Sequence, residues 1–282
     1  MSGIELKNLT KRFGDVTALN NVSFCFEENK IYGLLGRNGA GKSTLLNLIT
    51  NRIFPDSGTV LIDGVTVNED DSVLSKIYLM SEKTYYPEKM KIKEVFKWSK
   101  VFYPNFDEEY AVKLAKRFEL NINKPVKSLS TGYTSIFKIV IALSVNAPYI
   151  LLDEPVLGLD ANHRDLFYRI LIERYSENPC TIVISTHLIE EVSNVIEDII
   201  IIKQGEIIKN ESREDLLLQG YTVSGVASIV DAYVSDKNVI GVDQIGGLKT
   251  VYVLGKLDKK VPDGIEISKL DLQKLFIQLT NA

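Results

Sequence analysis

Gly36-Arg37-Asn38-Gly39-Ala40-Gly41-Lys42-Ser43-Thr44 fits the pattern G-x-x-x-x-G-K-[ST], and phosphate chemistry accounts for each residue type in it. Glycines let the backbone curl until successive N–H groups point at phosphate oxygens, and a helix opening at Lys42 turns its positive end toward them. Lys42 is then placed for the β- and γ-phosphates of ATP, and the Ser43 hydroxyl for Mg²⁺. Further along, Tyr149-Ile150-Leu151-Leu152 leads into Asp153-Glu154, an apolar run ending in two carboxylates. Asp153 can hold Mg²⁺ directly or through water, and Glu154 can orient and polarise a water beside the γ-phosphate. Taken alone, such a run is equally an ordinary strand end; the upstream cradle favours the chemical reading. A third candidate is His187, which ends Thr181-Ile182-Val183-Ile184-Ser185-Thr186. There it can donate to the same phosphate and fix Glu154. The chain has 2 histidines, and the other, His163, sits on a polar helical stretch.

These groups need elements to carry them. Ile31 to Leu35 suits a strand buried on both faces, as do 149–152, 181–185 and 198–202, with helical stretches between, the pattern of a parallel β-α-β sheet. The helix after the cradle carries Leu45, Leu46, Leu48 and Ile49. Residues 4–28 read as short strands around a turn at Phe13-Gly14-Asp15, and 59–64 as half of a β-hairpin. From about 84 to 147 the texture is helical. After Gly220 short glycine-punctuated strands lead to a last helix through Leu272, Leu275, Phe276 and Leu279, with Ser268 and Asp271 spaced as a capping box. We expect a domain over 1–219 and a small α+β appendage over 220–282.

Composition sets outer bounds. The 282 residues are 45% hydrophobic and 25% charged with net charge −4, which suits a folded globular chain and argues against a dedicated nucleic-acid binder. The 2 cysteines, Cys25 and Cys180, have no metal-ligand spacing and are expected as reduced, buried thiols. No run approaches the roughly 20 apolar residues of a membrane span, and the N-terminus lacks signal-peptide character. A cytoplasmic location is the expectation.

The order of the motifs resembles the ABC-transporter ATPase family. Leu129-Ser130-Thr131-Gly132-Tyr133 stands at the place of that family's LSGGQ signature, Pro155 to Asp160 at its D-loop, Ser185-Thr186-His187 at its H-loop, and Phe13 at its aromatic A-loop position. The resemblance spans about 3–215 and implies an α/β P-loop NTPase core with an antiparallel β-subdomain and a helical subdomain over about 84–147. It implies catalytic roles for Glu154, His187 and Glu82. ATP contacts would fall to Phe13, Gly36, Asn38, Gly39, Ala40, Gly41, Lys42, Ser43, Thr44, Ser130, Gly132 and Asp160, and Mg²⁺ ligation to Ser43, Asp153 and Glu82. It further implies a head-to-tail pair of ATPase subunits, homo- or heterodimeric, attached to an integral membrane subunit at the membrane's inner face. Ser130 and the Gly132 N–H would meet the nucleotide of the partner, with Ile136, Ile139, Val140 and Leu143 on one face of the helix behind them.

The sequence departs from the family pattern at Thr131 and Tyr133, which replace glycine and glutamine, and at Glu82, which stands where the family has glutamine. The aromatics Tyr85, Tyr86, Phe96, Trp98, Phe102 and Tyr103 are expected mostly in the core, with a minority lining a docking groove, and Lys89, Lys91, Lys93, Lys97 and Lys100 on a solvated face. The run Phe-Tyr-Pro-Asn-Phe-Asp at 102–107 resembles Gram-positive exporters linked to cell-wall-active or amphipathic peptides. Two other readings are a soluble ATPase of this type without a membrane partner and a nucleotide-sensing module; the single uninterrupted cassette disfavours the first, and Glu154 with His187 the second.

Overall fold

The structure, a computed structural model, describes residues 2–68, 70–258 and 261–281. The chain opens with two long antiparallel strands, β1 (Gly3–Phe13) and β2 (Val16–Glu27), joined at the turn expected around Gly14. The central strand β3 (Ile31–Leu35) leads through the glycine loop into α1 (Lys42–Ile49). Next come β4 (Ser57–Ile62), β5 (Val65–Thr66) and the short α2 (Asp71–Leu74). A four-residue strand follows, β6 (Ile77–Met80), which adds a strand beyond those expected. A run this short carries no readable period, and β6 is an edge strand that pairs only with one neighbour.

The helical stretch resolves into α3 (Ile92–Phe102), α4 (Glu108–Arg117) and α5 (Thr131–Ser144). Core strands and helices then alternate: β7 (Tyr149–Asp153), α6 (Ala161–Glu177), β8 (Thr181–Thr186), α7 (Ile189–Val192), β9 (Asp198–Lys203) and β10 (Glu206–Ser212). The main sheet has the order β10-β9-β3-β8-β7-β6, parallel except for β10. A second sheet, β2-β1-β4-β5, is antiparallel.

The main sheet's parallel strands alternate between two cores. Ile31, Leu35, Ile150, Leu152, Ile182, Ile184, Ile199 and Ile201 face the helices α3 to α6. Tyr32, Leu34, Tyr149, Leu151, Val183, Ile200 and Ile202 face α1 and the antiparallel sheet. Burial on both faces is why these strands read as continuous apolar runs in the sequence. Helix α5 departs from the one-faced pattern expected of it: every residue from Ser135 to Ser144 is buried, because α3, α4, α6 and β6 surround it. Of the aromatics between 85 and 103, Phe96 is fully buried and Tyr86 and Tyr103 pack against the core, while Tyr85, Trp98 and Phe102 are exposed. The exposed share is therefore larger than the sequence suggested. The five lysines of this region are all exposed, as expected.

After α8 (Arg213–Leu218), the chain builds β11 (Gly220–Val226), α9 (Ala227–Val234), β12 (Asn238–Ile245), β13 (Leu248–Leu254), β14 (Ile265–Lys269) and α10 (Leu272–Asn281). Their sheet runs β12-β13-β11-β14. One face packs on α9 through Val223, Val230, Val251 and Val253. The other joins the large core through Tyr252, Leu270, Leu272, Leu275 and Phe276, and α10 packs on α7. The capping box expected from Ser268 and Asp271 does not form. Ser268 lies within β14 opposite Thr222, and Asp271 itself caps α10, its carboxylate accepting from the Lys274 N–H at 2.7 Å. Strand pairing holds Ser268 extended and passes the cap three residues on.

Cys25 and Cys180 are free and half-buried, and burial pushes the Cys180 thiol up to about 11. No helix among the described residues is long and apolar enough to cross a membrane. In equilibrium urea unfolding, Asp271→Ala is expected to lower stability by about 1 kcal/mol, and Ser268→Ala to change it by less than about 0.5 kcal/mol. Equal effects of the two would contradict this assignment of the cap.

Candidate functional site

Three adjacent strands bring the chemistry together. Strand β8 lies between β3 and β7, with Leu35 opposite Thr186 and Asp153 opposite Ser185. The glycine loop leaves β3, the acidic pair leaves β7 and His187 leaves β8, so all three emerge on the C-terminal edge where parallel sheets form crevices. There they line a cleft of about 600 Å³ bounded by Val16 to Ala18, the loop from Asn38 to Thr44, Glu82, Glu154, Leu157, His187 and Gln204.

The loop's conformation follows from its glycines. Gly41 has φ +113°, and a Cβ there would lie 2.6 Å from the Ala18 carbonyl oxygen, so no side chain fits. It stands at the start of α1 and supplies no side-chain cap, which leaves the helix's first N–H groups directed at the cleft. Lys42 is buried, and its ammonium donates to the Gly36 carbonyl at 2.7 Å and the Arg37 carbonyl at 3.3 Å. It also lies 3.9 Å from Glu154 Oε1. Burial pulls the Lys42 pKa down, and the charges of Glu154 and Asp153 oppose that shift.

Glu154 is the hub of the site. Thr186 Oγ1 donates to its Oε2 at 3.0 Å, and His187 Nδ1 lies 2.8 Å from its Oε1. Its backbone N–H bonds to the Ser185 carbonyl at 2.8 Å, and its φ of +48° places a non-glycine residue in the left-handed region, a strain that persists only where the surroundings fix it. The Leu188 N–H in turn donates to Thr186 Oγ1 at 3.0 Å. Asp153 is buried and accepts from Ser185 Oγ at 2.9 Å.

A second cavity of about 270 Å³ adjoins the cleft and shares Glu82, Glu154 and Leu157 with it. Asp153, Met80, Ser81, Leu129, Thr131, Thr134, Ser135 and Lys138 complete its walls. Ser130 caps α5 by accepting from the Tyr133 N–H at 3.3 Å. Gly132 lies against the chain after the acidic pair: a Cβ there would meet the Gly158 carbonyl oxygen at 2.6 Å. Ser135 Oγ donates to the Leu157 carbonyl at 2.7 Å, a second tie between the same segments. Asp160 caps α6, accepting from the His163 N–H at 2.9 Å and contacting His163 Nδ1 at 2.8 Å. His163 stacks on Phe118 and meets Tyr133 edge-on.

Of the expected site residues, the loop 38–44, Glu82, Glu154 and His187 therefore share the main cleft, with Gly36 beneath Lys42. Asp153 faces the adjoining cavity. Phe13, Ser130, Gly132 and Asp160 do not line the main cleft; Phe13 is half-exposed at the end of β1 with the Lys11 ammonium over its ring. The sequence reading missed Thr186 as a Glu154 partner, since only the β7–β8 register brings the two together. It also missed Lys138, although a lone cation inside Ile136-Phe137-Lys138-Ile139-Val140 is a legible signal. Among the described residues, no three His, Cys, Asp or Glu side chains cluster so as to hold a metal by themselves.

The profile of the ABC transporter family matches residues 19–157. The ABC transporter ATP-binding protein YtrB of Bacillus subtilis is 32% identical over 252 residues, covering 89% of this chain and 86% of that protein. The ABC transporter ATP-binding protein NatA of the same organism is 32% identical and covers 76% of this chain and 91% of its own length. A solved dimeric structure of a bacterial ABC transporter cassette is 29% identical, with TM-score 0.67 over 74% of this chain and 98% of that one.

The close approach of Gly132 to Gly158 gives a direct test. Gly132→Ala is expected to lower stability by about 1–3 kcal/mol in thermal unfolding, the range for overpacking. An unchanged midpoint would show that the two segments separate freely.

Proposed function

The chain belongs to the ATP-binding subunits of ABC transporters, and we propose that its cleft hydrolyses ATP, as one of a head-to-tail pair, to drive export through a separate membrane subunit. The observation carrying this reading is the Glu154 carboxylate, held at the cleft by Thr186 and His187 and 3.9 Å from the Lys42 ammonium. The loop N–H groups and the start of α1 receive the phosphates, and Lys42 moves from its own loop's carbonyls to the β- and γ-phosphate oxygens. Glu154 takes a proton from water as the water oxygen attacks the γ-phosphorus. The β–γ bridging oxygen leaves with the bond's electron pair on ADP. His187 keeps Glu154 oriented and donates toward the γ-phosphate.

The donor set fits Mg²⁺: the Ser43 hydroxyl and the Asp153 and Glu82 carboxylates are all hard oxygen ligands. When bound, the ion neutralises charge developing on the β- and γ-oxygens. The absence of an all-protein cluster among the described residues suits a cation that shares its shell with phosphates and water.

Ser130 at the start of α5 and the adjacent Gly132 N–H supply the contact to the partner subunit's nucleotide. Phe13 offers a half-exposed ring for the adenine face, and Asp160 stands at the end of the same segment as Gly158. Trp98, Val101 and Phe102, exposed and spaced along one face of α3, are the docking face for the membrane subunit, the kind of apolar surface that marks an interface. Assigning 1–219 to the ATPase, with its helical part at about 84–147, leaves 220–282 as an accessory unit. Its α10 packs on α7 immediately after His187, which supports a packing role. The assignment of export rests on the sequence run at 102–107, within which Asp107 also caps α4.

Glu154→Gln is expected to lower kcat by about 100-fold or more while ATP still drives dimerisation in size-exclusion chromatography. Phosphate release at the wild-type rate would overturn the assignment of Glu154. Proteoliposomes holding the chain with its membrane subunit check direction: ATP-dependent accumulation on the side opposite the ATPase supports export, and the reverse refutes it.

A further inference from the structure

Lys138 is a buried cation in a helix whose other residues from Ile136 to Leu143 are apolar. It stands two turns after Ser130. Its ammonium donates to the Ser81 carbonyl at 3.1 Å and also to the Glu82 carbonyl. Removing an ammonium from water is costly unless hydrogen bonds and a counter-charge offset it. An apolar side chain of equal length would fill the same volume without that cost. Burial depresses the Lys138 pKa and the Glu82 carboxylate opposes the shift, so Glu82 is the acid whose field reaches it. Lys138 and Glu82 both line the cavity that holds Asp153 and Glu154. The loop from Ser81 leaves β6 at the sheet's edge, and the lysine reaches from α5 to its first two carbonyls.

We propose that Lys138 is a positioning residue: it fixes the backbone at Ser81 and Glu82 and supplies the counter-charge that lets a carboxylate stand beside the γ-phosphate position. The proposal rests on the reading of the cleft given above. A glutamine at 82 would need no such charge, whereas a glutamate adds a negative group to a site already holding Asp153 and Glu154, which must then receive an anionic substrate. The ammonium offsets that charge from behind the loop, where it takes no position the phosphates need. The same strut ties Glu82, which faces this chain's nucleotide, to the helix that begins at Ser130.

The test compares Lys138→Met, and Lys138→Met combined with Glu82→Gln, with the wild type in the full chain and its transporter complex. In the nucleotide-free protein, tryptic cleavage after Lys83 reads the loop's order independently of ATPase activity. Lys138→Met is expected to speed it about tenfold, the consequence of losing the ties to both carbonyls. In steady-state hydrolysis Lys138→Met should lower kcat about tenfold while KM for ATP changes by less than about threefold. Adding Glu82→Gln should restore about threefold or more of the lost kcat, because the uncompensated charge is gone. Cleavage within about twofold of wild type, parallel changes in kcat and KM, or a double variant no better than Lys138→Met would each overturn the proposal. If Lys138→Met does not fold, Lys138→Gln is judged by the same three criteria. Failure of the cleft assignment shows separately, as hydrolysis surviving Glu154→Gln, and leaves the nucleotide-free cleavage measurement valid for Lys138.

Discussion

The register of three parallel strands governs everything chemical in this protein. With Leu35 opposite Thr186 and Asp153 opposite Ser185, the residues after β3, β7 and β8 must meet at one edge. A one-residue slip in either pairing would turn Asp153 or Ser185 to the opposite face and separate Glu154 from Thr186. The pairings are fixed by burial on both faces, since alternate residues of each strand enter different cores. The most apolar part of the molecule is thereby the reason its most polar groups are placed to within hydrogen-bonding distance. The left-handed backbone of Glu154 is sustained by the same arrangement, through its N–H bond to Ser185 and its two side-chain bonds across to β8 and His187.

Helix α5 is the second organising element. It is buried on all sides from Ser135 to Ser144, and its first turns carry ties to two other loops of the same chain: Ser135 and Gly132 to the Leu157–Gly158 segment, and Lys138 to Ser81 and Glu82. A rigid rod with polar contacts at one end transmits displacement better than a loosely packed one, because dense interiors resist compression. The C-terminal sheet joins the same large core through Tyr252 and the following α10, which packs on α7.

Much of this could be read from the residues in order. Strands β3, β7, β8 and β9 announce themselves because double-sided burial demands unbroken apolar runs, and the glycine loop because phosphate binding restricts residue choice so tightly. Strand β6 stayed hidden: four residues carry no period, and its apolar character fits a helix as well. The cap of α10 was misplaced because Ser268 and Asp271 both suit an N-cap, and only the pairing of Ser268 with Thr222 decides between them. The bond between Thr186 and Glu154 was invisible for a different reason. It joins residues 32 apart in sequence through a register that no local pattern specifies. The all-round burial of α5 similarly depends on four neighbours that the sequence of the helix alone does not name.

The meeting of Gly132 and Gly158 bears on how such a chain can change over generations. Thr131 and Tyr133 differ from the pattern this segment resembles on either side of Gly132, and the structure has room for both: Thr131 is exposed, and Tyr133 rests against His163. At 132 there is no comparable freedom, because a Cβ there would lie 2.6 Å from the Gly158 carbonyl oxygen. The tolerance for drift thus changes abruptly between neighbouring positions. Positions 131 and 133 are where the fold leaves latitude, and Gly132 is where two segments would have to change together.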